Sequence, residues 1–220
     1  MTLPAAWAIL EADFDSLSEH LGNFAGSKTV INSSNNFTAL DEFLLEGMLS
    51  QCWQAWCRFC RTCVMESCLG TITSTGTVVQ RLPQATRAEL VSGAAIRAKQ
   101  QANPPYWGRS NFLLRAEPTW GDTDVLVKIL TRLAPTNSAQ LLAAFSSGSS
   151  YAKAIQTIRN TVAHDNIETR TELQRLQSAY IVFPITHPTQ ALFWIEPTSN
   201  DYLINDAIET LKAVAAVAIS

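Results

Sequence analysis

Apolar residues recur along this chain mostly at the three- and four-residue spacing of helices, not at the alternating spacing of strands. Tyr151, Ala154, Ile155, Ile158 and Val162 fall at i, i+3, i+4, i+7 and i+11, one stripe that predicts a helix over 151–164. At about 100° per residue, Asn160 and His164 stack on the opposite face, with Arg159 on its flank. A second helix is expected directly afterwards, with Asp165 as its N-cap, Glu168 completing a capping box, and Leu173, Leu176 and Tyr180 as its stripe.

The same reading predicts helices over 4–22, ended by Gly22 and Gly26, and over 38–68, with Leu40, Phe43, Leu44, Met48, Cys52, Ala55, Trp56, Phe59, Cys63 and Val64 on its apolar face. Residues 83–100 return to helix with Pro83 in the first turn. Shorter helices are expected over 111–117, 122–134 and 138–146, with the SSGSS stretch at 146–150 as a loop. A last helix over 201–219 turns apolar all round at its end, as a helix buried in a bundle or against a second chain would. GSKTVINSSNN reads as a polar loop. The β-branched run GTITSTGTVVQ, with two glycines, reads as a small hairpin. In IVFPITHPTQALFWIEPTSND, Phe193, Trp194 and Ile195 suggest a short strand or buried connector, and His187 has no evident partner. The sum is an all-α fold: one helical domain over 1–220 with a small β-hairpin insertion.

Composition narrows the functions open to such a fold. The chain has 220 residues, 47% hydrophobic and only 16% charged, enough for a full core and compatible with surface buried in an oligomer. A net charge of −3 gives no global basic field, so any nucleic-acid contact must be local. The start MTLPAAWAILEADFD lacks the basic opening of a signal peptide, and no apolar run spans a bilayer, so a cytoplasmic protein without membrane contact is expected. The sequons at Asn32 and Asn36 are then chance matches.

Cys52, Cys57, Cys60, Cys63 and Cys68 form overlapping C-x-x-C units that suggest a metal or redox site. Their odd number and their place in an uninterrupted helical pattern favour small buried hydrophobes instead. The glycines and threonines of the hairpin are followed by no G-K-[ST], which excludes a phosphate loop. No G-x-S-x-G accompanies the three histidines, which leaves serine-hydrolase chemistry without its parts. In NPPYWGRSNF, Trp107 beside Arg109 is suited to stacking a base, although such a turn also serves simply to pack a loop. His164 and Arg159 have a bland alternative too, as a helix C-terminal cap and a solvated charge.

An all-α domain with Arg159-Asn160-x-x-x-His164 at the end of a late amphipathic helix resembles the HEPN superfamily, whose signature is an arginine, a polar residue and, after a short gap, a histidine. The resemblance is carried by residues 149–180 and extends by context to the whole chain. It implies a HEPN-type helical bundle and a metal-independent endoribonuclease without cofactor, of the kind found in prokaryotic toxin–antitoxin, CRISPR-associated or phage-defence systems. It further implies RNA as substrate, a homodimer whose two motifs share one cleft, and an antitoxin or regulatory protein as partner. Arg159, Asn160 and His164 are then the catalytic candidates. His164 would serve as general base or acid on the ribose 2′-hydroxyl or the leaving 5′-oxygen. Arg159 would neutralise charge developing on the phosphate, and Asn160 would hold the imidazole or donate to a phosphate oxygen. Attack by the 2′-hydroxyl needs no metal and leaves a 2′,3′-cyclic phosphate. Arg170, Arg109 and Trp107 are the substrate-binding candidates. The alternative is a non-catalytic helical dimerisation or interaction module.

Overall fold

Helix is what this sequence does best, and helix is what the chain forms. The structure is a computed structural model that describes residues 1–28, 30–31, 37–100, 107 and 114–220. Regular elements run in the order α1 (Leu3–Gly26), α2 (Ala39–Leu69), β1 (Thr71–Ile72), β2 (Val78–Val79), α3 (Ala88–Lys99), α4 (Thr123–Leu133), α5 (Ser138–Ser147), α6 (Ser149–Ala163), α7 (Ile167–Leu176) and α8 (Leu203–Ala218). The two short strands pair antiparallel, Thr71 with Val79 and Ile72 with Val78, and form the only sheet among the described residues. No helix among them is long and apolar enough to cross a membrane.

The chain divides into two compact units, each assembled from non-contiguous segments: 1–11, 56–149 and 213–220 in one, 12–55 and 150–212 in the other. In the first, α3 packs on α4 and α4 on α5. The Trp56 indole is buried there against the rings of Phe59 and Phe145 and donates to the Gly121 carbonyl at 3.3 Å. The hairpin is tied down by Ser74 N–H to the Ile219 carbonyl, 2.7 Å. A half-buried carboxylate, Glu117, accepts two hydrogen bonds from Arg61 (2.7 and 2.9 Å), one from Ser92 (2.5 Å) and one from the Trp120 indole (2.9 Å). Burial alone would raise its pKa, but these donors outweigh it and hold the carboxyl at about 2.

In the second unit, Phe24, Phe37 and Phe193 form an aromatic cluster with centroids 5.8–6.2 Å apart, closed by an edge contact from Tyr202. The cluster explains why α1 continues to Gly26 past Gly22, where the sequence pattern ends it. Burying Phe24 at the last turn outweighs the ~1 kcal/mol that a helical glycine costs. Ile195, expected in a strand or connector, makes isolated bridges to Ile181 and Tyr202 behind a 3-10 turn at Pro188–Phe193.

Other boundaries also differ from the sequence reading. Instead of a loop at 146–150, only Gly148 separates α5 from α6, and a Cβ there would lie 2.5 Å from Val214 Cγ2. Helix α3 starts at Ala88, not Pro83, because Leu82 N–H bonds the Cys68 carbonyl and Ala85 N–H the Leu82 carbonyl, holding this stretch in a turn. The helix expected over 111–117 is a 3-10 turn at Leu114–Ala116, and 111–113 lie outside the described residues. On α2, Leu45, Leu49 and Cys52 are buried, but Leu40, Phe43 and Leu44 are 65%, 70% and 46% exposed. Leu40 and Leu44 stand five residues before Leu45 and Leu49, about 140° around the helix, so they cannot share the buried face.

Cys52, Cys60, Cys63 and Cys68 are buried thiols. Burial pushes Cys68 up to about 12 and raises Cys60 and Cys63 as well, so these three are not thiolates at neutral pH. No cluster of histidine, cysteine or carboxylate among the described residues is arranged to hold a metal.

Candidate active site

The C-terminal end of α6 and the start of α7 set the geometry of the predicted motif. Helix α6 buries Ala152, Ala154, Ile155, Thr157, Ile158 and Thr161. Val162, which the apolar stripe places in the core, is only half-buried, and Thr161 takes the inner position. The threonine fits there because its hydroxyl has carbonyl acceptors at 2.9 Å (Thr157) and 3.1 Å (Thr169), the second of which ties α6 to α7. A valine could not make that tie.

The motif lies on the other side of the helix. Arg159 and Asn160 are half-buried, and His164, just beyond the last helical residue, is exposed. The Arg159 Nη1 donates to Asn160 Oδ1 at 3.2 Å, which turns the amide NH2 away from the guanidinium. The His164 N–H closes the last helical turn on the Asn160 carbonyl at 2.8 Å, so the two side chains sit one turn apart. Among the described residues, Arg159 makes no ion pair, and the His164 imidazole makes no hydrogen bond.

The residue after His164 does not cap the next helix. Asn166 does, its side chain accepting from Thr169 N–H (3.0 Å) while Thr169 Oγ1 accepts from Asn166 N–H (3.3 Å), a complete capping box. Thr169 Oγ1 also donates to the His164 carbonyl at 2.9 Å, so the cap of α7 fixes the backbone of the histidine. Asp165, expected at the cap, is held instead by Arg170, whose Nε and Nη2 reach its two oxygens at 2.5 and 2.6 Å. Hydrogen bonding from Arg170, with a smaller electrostatic contribution from His187, lowers the Asp165 pKa. The carboxylate beside His164 is thus charge-compensated. Of the stripe expected on α7, only Leu173 is buried, and the helix ends at Leu176, four residues before Tyr180.

Arg170 is therefore drawn to the same junction as the motif. Trp107 is half-buried and belongs to the other compact unit, and Arg109 lies outside the described residues.

Beside the junction opens a cavity of about 500 Å³, reached from α6 by Thr161 and Val162 and from α7 by Arg170 and Gln174. Its far wall comes from Ile185 to Pro188. His187, expected to be without partners, has one at each nitrogen. Nδ1 lies 2.8 Å from Thr189 Oγ1 and accepts the Thr189 N–H at 3.4 Å, capping the 3-10 turn, while Nε2 lies 3.3 Å from Glu46. With Nδ1 accepting, the neutral ring carries its proton on Nε2, toward Glu46. The sequence did hold a signal for this role, a cap-competent residue followed by proline at the first helical position.

The chain matches no family model, no curated protein and no solved structure.

Proposed function

We propose that this chain is a metal-independent endoribonuclease of a prokaryotic defence or toxin type, HEPN-like in its motif, and that it acts as a homodimer with a composite site. The observation that carries the reading is a guanidinium with no counter-ion among the described residues, hydrogen-bonded to an amide that lies one turn from an exposed imidazole. Such a set suits an anion whose charge grows during reaction. His164 would take the 2′-hydroxyl proton as that oxygen attacks phosphorus, or protonate the departing 5′-oxygen. Arg159 would stabilise the charge on the non-bridging oxygens, and the Asn160 NH2 would donate to phosphate or imidazole. A second copy would supply whichever of these two proton-transfer roles the first does not fill, because each chain contributes one His164 to the shared cleft. An antitoxin or other regulatory protein would be a further partner.

The test is incubation of total RNA with the purified protein in EDTA, alongside His164→Ala. Cleavage by the wild type alone, yielding 2′,3′-cyclic phosphate ends, supports the proposal. Equal cleavage by both removes His164 from the chemistry.

One observation favours a second reading, a helical dimerisation or interaction module without nuclease activity. Leu40, Phe43 and Leu44 form an exposed apolar face at the start of α2. Absence of cleavage, together with a change of oligomeric state in Phe43→Asp, would move this reading ahead.

A further inference from the structure

The cavity beside the motif has a chemistry of its own. At about 500 Å³ it falls within the ~300–1,000 Å³ of small-ligand sites. Its one arginine is already matched, held by both oxygens of Asp165, and the Nε2 of His187 lies 3.3 Å from Glu46. An anion entering here would have to break the Arg170 pair, so the cavity suits an uncharged ligand. The lining is also semi-polar, with apolar Leu173, Ile185 and Pro188 beside two carboxamides, Gln174 and Gln177. Among the described residues neither of those side-chain amides makes a hydrogen bond. Each therefore offers a donor and an acceptor to whatever enters.

We propose that this cavity receives one unstacked nucleobase of the RNA strand, adenine in preference to the others. The identity of the polymer rests on the ribonuclease reading; the shape and polarity of the pocket do not. A base is flat and uncharged, with apolar faces and a hydrogen-bonding edge, and single-stranded RNA presents such bases splayed from the strand. The apolar lining and the His187 ring would cover its faces, and the amides would read its edge. A carboxamide pairs bidentately with the N6–H2 and N7 of adenine, whereas guanine is read best by a free arginine, and Arg170 is engaged by Asp165. Thr161, Val162 and Asp165 line the cavity from within the Arg159–Asp165 segment, so a base bound there would lie within a few residues of the catalytic set.

The experiment titrates the full-length ¹⁵N-labelled protein with adenosine, guanosine, cytidine, uridine and inorganic phosphate, following the side-chain amide signals of Gln174 and Gln177. Adenosine is expected to shift both signals saturably, with affinity about tenfold or more weaker in Gln174→Leu and retained in Arg159→Gln. No shift with any nucleoside, an equal response to all four, or the same response to inorganic phosphate would overturn the proposal. The two readings fail separately. Adenosine binding without RNA cleavage by the wild type keeps the pocket and sinks the ribonuclease; cleavage without adenosine binding does the reverse.

Discussion

Two arginines, one in each compact unit, put their charge to opposite uses. Arg61 meets Glu117 with two hydrogen bonds, and Ser92 and Trp120 satisfy what remains of that carboxylate. Among the described residues, Arg159 holds only a neutral amide, through a single bond of 3.2 Å. In the first cluster the charges are already answered, and the donors keep the carboxylate ionised. The second leaves a half-buried guanidinium without a counter-ion among the described residues and an exposed imidazole, an arrangement that suits an incoming anion. Polar groups satisfied within the chain are structural, and polar groups left waiting are where function is to be sought.

This contrast has measurable consequences. The largest is at Glu117. Glu117→Gln places an NH2 among donors and strands Arg61, and is expected to destabilise the protein by about 2–4 kcal/mol in urea titration, discounted toward the lower figure because Arg61 is partly exposed. A loss below the error of the titration would break the comparison. The same carboxylate gives a pH signature. Its folded pKa of about 2 lies below the ordinary 4.5, so its contribution is complete above pH 4.5 and disappears as pH falls toward 2. The wild type should lose stability across that window more steeply than Glu117→Gln, and parallel curves would contradict the assignment.

Next in size is the cap of α7. Asn166→Ala should cost about 1 kcal/mol and, because the capping box positions Thr169 on the His164 carbonyl, should slow cleavage as well. Asp165→Asn should leave the melting temperature where it is, because the Arg170 pair is exposed to water. A large drop there would mean that the junction depends on that pair more than its exposure allows.

Much of this contrast is legible in the residues. The helix α6, the placing of Asn160 and His164 away from its most buried residues, and the hairpin follow from periodicity and turn chemistry, which are local properties. The cap of α7 is not, since Asp165 and Asn166 are both good N-caps, and it is the folded chain that gives Asp165 to Arg170 and the capping box to Asn166 and Thr169. Gly148 hides its role in the same way: it looks like loop punctuation until Val214, far along the chain, is found where its Cβ would be. The cavity wall at Ile185–Pro188 comes from an irregular passage without period, and the Glu46 that faces His187 is remote in sequence. Long-range pairings of this kind leave no trace in spacing.

The central claim, that the end of α6 serves chemistry and not the fold, is tested most directly by measuring melting temperature and RNA cleavage rate on the same preparation of His164→Ala. The expected result is an unchanged melting temperature with cleavage reduced by about a hundredfold or more, the scale of a lost general acid or base. A melting temperature lowered by several degrees with cleavage intact would make His164 a structural cap and contradict the account.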